Sequence, residues 1–166
     1  GDVMGSLPAA MKAADPDSDI RVVMPLYGVV KDEWRSQMKT EAVFTLRLSW
    51  RNQYCGILSL VKDGVTYYFI DNEYYFKRPA LYGSFDDGER FAFFGKAVLE
   101  LMSTMQFFPD ILHANDWQTA PAVIYLKRKF GLAPGYEKIR VLYTIHNIEY
   151  QGKYDLKILG DVFDLD

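Results

Sequence analysis

One stretch, residues 110–125, leaves this chain few folds to choose from. It reads Asp110-Ile111-Leu112-His113-Ala114-Asn115-Asp116-Trp117-Gln118-Thr119-Ala120-Pro121-Ala122-Val123-Ile124-Tyr125. A short apolar run ends in His113. Four polar side chains, His113, Asn115, Asp116 and Gln118, then crowd around Trp117. A helical pattern follows at once, with Pro121 in the first turn, where a missing N–H costs nothing. Strand, polar turn, helix is the βα junction of a parallel sheet, and ligands bind at the carboxyl ends of such strands. The chain has 2 histidines. The second, His146, closes the next strand-like run, 140–145. Two successive junctions, each opening on His and Asn, predict an α/β fold with both imidazoles on one sheet edge.

The rest of the chain fits that frame with one interruption. Residues 3–11 have helical spacing, with Val3, Leu7, Ala10 and Met11 on one face. The Asp15-Pro16-Asp17-Ser18 cluster is a turn. Residues 20–24 read as a buried parallel strand stopped by Pro25. From Ala42 the period becomes two: Phe44, Leu46, Leu48 and Trp50 alternate with polar residues, predicting a half-buried antiparallel strand. Residues 53–61 read as its partner. Lys62-Asp63-Gly64 supplies a type I′ turn into a strand at 65–70. The alternating βα chain is thus broken by a hairpin excursion. Asp86-Asp87-Gly88-Glu89 matches a capping box for a helix that buries Phe91, Phe94, Val98, Leu101, Met102 and Met105 and stops before Pro109. A strand at 111–113, a helix at 119–129 and a strand at 140–145 follow, and 148–166 reads as loop.

Composition excludes several classes. With 49% hydrophobic and 16% aromatic residues the chain has material for a core, so it is not a disordered segment. A net charge of −3 without a Lys/Arg run argues against nucleic acid or anionic membranes as partners. No apolar run reaches the ~18 residues of a membrane span. No signal peptide is apparent, and the single Cys55 cannot form an internal disulfide, which suits a reducing, cytoplasmic setting.

Each candidate has an ordinary explanation beside the chemical one. A histidine past a buried strand is often only a hydrogen-bonded core residue; a pair on one edge can donate to substrate hydroxyls. Asp116 suits a helix N-cap or a carboxylate accepting from sugar hydroxyls. Asn115 and Gln118 both donate and accept, as polyol recognition requires. Trp117 suits either core filling or stacking on a sugar face. Tyr82, in the loop 78–83, suits either covering the core or stacking on carbohydrate. In the loop after the second strand, His146, Asn147 and Gln151 are candidate ligand contacts. Gly152 meets a backbone need, and Asp2 alone reads as a cap. The nearest thing to a metal pair is His113 with Asp116, lacking a third ligand. No nucleophile elbow or complete phosphate loop is present.

Taken together, these blocks resemble the N-terminal catalytic domain of the bacterial glycogen synthase and plant starch synthase family. Gly1-Asp2-Val3-Met4-Gly5-Ser6-Leu7-Pro8 is similar to the end of its opening signature. Tyr68-Phe69-Ile70-Asp71-Asn72, Arg78-Pro79, Tyr82-Gly83 and Glu89-Arg90-Phe91-Ala92-Phe93-Phe94 follow its next blocks. His113-Ala114-Asn115-Asp116-Trp117-Gln118-Thr119-Ala120 and Thr144-Ile145-His146-Asn147-Ile148-Glu149-Tyr150-Gln151-Gly152 are the most specific.

The resemblance implies a three-layer, Rossmann-like, doubly wound and mainly parallel sheet, one half of a GT-B glycosyltransferase. It implies retaining transfer of glucose from ADP-glucose to the 4-hydroxyl of an α-1,4-glucan end, as in glycogen biosynthesis, without a metal or other cofactor. By position, Asp116 and His146 match active-site residues near the transferred glucose. Asp2 matches an aspartate beside the nucleotide sugar, and Tyr82 a tyrosine lining the cleft. His113, Asn115, Trp117, Gln118, Asn147, Gln151 and Gly152 are expected as substrate-binding neighbours. The family's first strand and its lysine-glycine-glycine loop would precede Gly1. Its C-terminal nucleotide-binding domain, a required partner, would follow Asp166. The chain is thus expected to be a single N-terminal domain fragment, inactive alone. A UDP-glucose-using relative and a non-catalytic glucan-binding module remain open alternatives.

Overall fold

The computed structural model describes residues 2–146 and 157–165, apart from the side chains of residues 2–5 and 159. The chain divides into two compact units, one of residues 1–44 with 54–81 and one of residues 45–53 with 82–166.

The first unit begins with helix α1 (Asp2–Ala14). The turn after it is held by Ser18, whose amide and hydroxyl both donate to the Asp15 carbonyl. Strand β1 (Arg21–Pro25) pairs parallel with β4 (Val65–Asp71), Arg21 opposite Thr66 and Pro25 opposite Ile70. Pro25 fits because it is the last residue of the strand, and the next amide, Leu26, resumes the pairing by donating to the Ile70 carbonyl at 2.8 Å. A short helix α2 (Asp32–Arg35) leads to β2 (Lys39–Leu48) and β3 (Arg51–Lys62). The sheet order is β1-β4-β3-β2, with β3 and β4 antiparallel. Asp63 and Gly64 have φ of 53° and 75°, the geometry expected of the Asp-Gly turn. Cys55, Ile57, Val65, Ile70, Tyr75 and Phe76 have no exposure at all. Burying a side chain of that size stabilises by roughly 1.5–3 kcal/mol. Helix α3 (Glu73–Phe76) is capped by Asn72, whose side chain accepts from the Tyr75 amide at 3.0 Å.

The second unit is built on α4 (Asp87–Thr104), which is buried on nearly every side. Gly95 explains how a neighbouring helix comes so close: a Cβ there would lie 2.5 Å from the Ala122 nitrogen and 2.8 Å from the Pro121 carbonyl carbon. Strand β5 (Ile111–Asn115) leads through a 3₁₀ turn (Trp117–Thr119) into α5 (Ala120–Tyr125), which continues as a π-helical turn (Leu126–Phe130). Strand β6 (Arg140–Thr144) pairs parallel with β5, Ile111 opposite Arg140 and Asn115 opposite Thr144. A short helix α6 (Ile158–Asp161) follows. The tip of the β2–β3 hairpin belongs to this unit, where Arg51 pairs with Glu89 of α4 at 2.9 Å and with Asp161 at 3.1 Å. The Trp50 indole donates to the same Asp161 carboxylate at 3.0 Å.

Several expectations need correction. Among the described residues the one mainly parallel sheet is two sheets, a four-stranded mixed one and a two-stranded parallel one. The helix expected at 3–11 is present as α1, and along the expected face Leu7 is half-buried while Ala10 and Met11 are exposed, with Pro8 the buried residue beside them. Trp50 lies in the hairpin turn and is 69% exposed, so the inward alternation ends at Leu48. Met105 is half-buried at the helix end. The capping box at 86–89 is absent: the Asp86 side chain makes no cap bond, and the Asp87 carboxylate turns back to accept from the Gly83 and Ser84 amides ahead of the helix. The helix predicted at 119–129 starts in the 3₁₀ turn and ends in the π turn, and 148–166 contains α6.

Candidate functional site

The site starts from strand register. In a parallel pair, residues opposite one another share a face, and alternate residues return to it. His113 and Asn115 of β5 therefore share a face with Leu142 and Thr144 of β6. The side chains then bond diagonally. His113 Nε2 lies 2.8 Å from Thr144 Oγ1. Beyond the strand end, His146 Nε2 lies 2.9 Å from Asn115 Oδ1. An amide oxygen only accepts, so His146 carries its proton on Nε2, and in the neutral ring Nδ1 is left as an acceptor.

Asp116 is the pivot. Its backbone sits at φ 60°, ψ 178°, a region almost reserved for glycine. Such a conformation costs on the order of 1–3 kcal/mol and persists only where its surroundings hold it. Those surroundings are visible. The Asp116 amide donates to the Thr144 carbonyl at 2.9 Å. The Asp116 carboxylate accepts from the His146 amide at 2.7 Å. The Thr119 hydroxyl donates to the carbonyls of Asn115 and Asp116 at 2.8 and 2.9 Å. Asp116 is thus not the helix cap that its position suggests, because its side chain makes no cap bond and is turned to the other junction. Its charge also reaches Tyr143, whose phenol is held above its ordinary pKa mainly by burial and then by Asp116.

The structure therefore brings together His146, Asn115 and Asp116, with His113 one step back on the same face. Asp116 is half-buried and His146 exposed, so the cluster can be reached. Trp117 packs edge-on against Phe91 with ring centroids 5.4 Å apart, which favours its role as core over sugar stacking. Gln118 is half-buried beside it. Tyr82 is 48% exposed, and the turn behind it is tied to the Asp87 carboxylate. Asp2 begins α1 in the first unit. Asn147, Gln151 and Gly152 lie outside the described residues. Thr144 and Thr119 were missed by sequence reading. Thr144 carried a signal, since it is a hydroxyl residue within the apolar run that leads to His146.

No group of three or more His, Cys, Asp or Glu among the described residues is placed to hold a metal ion. No helix among them is long and apolar enough to cross a membrane.

An α/β fold with a polar cluster at the carboxyl ends of two parallel strands is the setting of a ligand-binding enzyme domain. Residues 1–166 match the family model for the starch synthase catalytic domain, and the chain belongs to that family. Glycogen synthase of Ligilactobacillus salivarius (strain UCC118) is 48% identical over 166 residues, covering 100% of this chain and 35% of the relative. Glycogen synthase of Clostridioides difficile (strain 630) is 46% identical over 169 residues, 99% of this chain and 35% of the relative. Among solved structures, the catalytic domain of starch synthase IV from Arabidopsis thaliana, bound to ADP and acarbose, superposes with a TM-score of 0.87 at 28% identity, covering 100% of this chain and 34% of that one. The chain spans about a third of the length of these relatives.

Proposed function

We propose that the chain is the N-terminal part of a glycogen synthase, a cytoplasmic glycosyltransferase that moves glucose from ADP-glucose to the 4-hydroxyl of an α-1,4-glucan end with retention of configuration. The observation that supports it most is Asp116, held in a costly backbone conformation with its carboxylate on the His146 amide. Strain of this kind clusters at functional sites. The kinship with glycogen synthases supplies the substrates. The chain is read as belonging to the N-terminal, Rossmann-like half of a GT-B enzyme.

Transfer passes through a sugar with oxocarbenium character and a departing phosphate, so the site must stabilise opposite charges a few ångströms apart. Asp116 fixes the His146 backbone, leaving that residue's carbonyl and Nδ1 for glucose hydroxyls. Asn115 holds the ring through Nε2. Tyr82, Gln118, Asn147, Gln151 and Gly152 are the further substrate contacts of the second unit, with Trp117 and His113 supporting them rather than touching substrate; in the first unit, Asp2 is by kinship a contact of the nucleotide sugar. Charge on the departing phosphate is met by basic residues of a C-terminal domain, so no metal or other cofactor takes part, and chelators leave the rate unchanged.

The test is transfer of labelled glucose into maltodextrin. The full-length enzyme is expected to use ADP-glucose in preference to UDP-glucose, and the 166-residue chain alone to give no turnover. Preference for UDP-glucose overturns the donor assignment. Maltodextrin binding by the full-length protein without transfer from either donor overturns the enzymatic reading in favour of a glucan-binding module.

A further inference from the structure

Tyr82 is 48% exposed at the end of the loop Arg78-Pro79-Ala80-Leu81, and the turn behind it is tied down by charge. The Asp87 carboxylate accepts from two consecutive backbone amides, Gly83 at 2.6 Å and Ser84 at 3.1 Å. Its Oδ1 also takes a 2.7 Å ion pair from Arg90. The Arg90 side chain has no exposure and that of Asp87 has 4%. Burying two charges is expensive, and well-packed apolar residues would stabilise a helix start as well or better. Stability alone is therefore a weak reason for the pair. What an apolar pair could not do is grip the amides of residues 83 and 84. Gly83 stands at φ +95°, a conformation that only glycine adopts without strain, and glycine brings the most backbone freedom for the carboxylate to restrain.

We propose that Asp87 and Arg90 are positioning residues for substrate recognition. Arg90 fixes the Asp87 carboxylate, the carboxylate fixes the 83–84 turn, and the turn holds Tyr82 ready to stack on sugar. A ring fixed in advance loses less freedom on binding, so the pair acts on affinity. This inference rests on the reading of Tyr82 as a substrate contact.

The test is a double-mutant cycle in the full-length enzyme, reading kcat and the KM for maltodextrin and for ADP-glucose. Tyr82→Ala is expected to raise one of these KM values about tenfold. Asp87→Asn is expected to raise the same KM roughly three- to tenfold with kcat within about twofold, and to add almost nothing in the Tyr82→Ala background. Amide exchange across residues 81–85 should quicken in Asp87→Asn. Gly83→Ala serves as a second variant should Asp87→Asn fold poorly: a Cβ at 83 meets nothing within 4 Å, so the change strains the turn without disturbing the buried pair. It too should raise that KM, and non-additively. Full additivity of both variants with Tyr82→Ala, or a fall in kcat at constant KM, overturns the proposal while leaving Tyr82 a contact. Unchanged KM values in Tyr82→Ala overturn the reading of Tyr82 and the proposal with it.

Discussion

Strands β3 and β4 and strands β5 and β6 are similarly rich in apolar residues but bury them differently. In the first pair Cys55, Ile57, Val65 and Ile70 are wholly enclosed. In the second, Ile111 is 59% exposed and Leu142 is 52% exposed. The first pair is a core, held by packing. The second is held more by polar bonds that cross between the strand ends, and that is where the candidate site lies. The site region thus depends on a few directed contacts, while the mixed sheet depends on many undirected ones.

The largest effect expected on stability comes from the packed side. Ile57→Ala should cost about 2–5 kcal/mol in urea unfolding, the usual range for opening a core cavity. Leu142→Ala on the exposed face should cost under about 1 kcal/mol, and equal losses at the two positions would break the contrast. Next is Gly95→Ala, where the added methyl meets helix backbone that cannot swing aside. A loss of roughly 1–3 kcal/mol is expected, as for other overpacked sites.

A smaller effect sharpens the polar side. Asp116→Gly removes the backbone strain, worth on the order of 1–3 kcal/mol, and the charge-assisted bond to the His146 amide, worth about 1.5–3 kcal/mol. The two nearly cancel, so the urea midpoint should stay close to level while activity is lost. A fall by the full worth of the bond would mean that the turn was never strained.

Acid titration separates two carboxylates and should give the smallest change. Burial and then Glu73 hold the Asp71 carboxyl above its ordinary pKa. Its contribution is therefore present below the unfolded value and lost as pH rises through the folded one. Asp71→Asn should raise the melting temperature at pH 7 and leave it unchanged near pH 3. Asp161 is the reverse case, since hydrogen bonds from Trp50 and then Arg51 lower its pKa. Its contribution is present above the unfolded value and lost as pH falls through the folded one, so Asp161→Asn should lower the melting temperature at pH 7 only.

Much of this was legible in the sequence, for reasons tied to particular residues. The hairpin was readable because Phe44, Leu46 and Leu48 alternate and Asp63-Gly64 admits one turn type. The strand–turn–helix order around Asp116 was readable because the apolar run, the polar cluster and Pro121 each agree with it. The direction of the Asp116 side chain was not, because a capping aspartate and one that reaches across to another strand share the same local sequence. The role of Asp87 was hidden for the same reason: neighbouring aspartates look alike in the sequence, and only the ion pair with Arg90 one turn further along α4 shows which of them is turned back onto the 83–84 amides. The two-sheet arrangement was hidden because strand pairing is settled by partners far along the chain.

The central claim is that Asp116 and His146 form one working unit. The most direct measurement is kcat for glucose transfer from ADP-glucose to maltodextrin by the full-length enzyme carrying Asp116→Asn, His146→Ala and both together. Each single change should lower kcat by about 10²-fold or more, and the double should be little worse than either alone, as for groups that act as a unit. Near-normal kcat in either single variant, with folding intact, would contradict the claim.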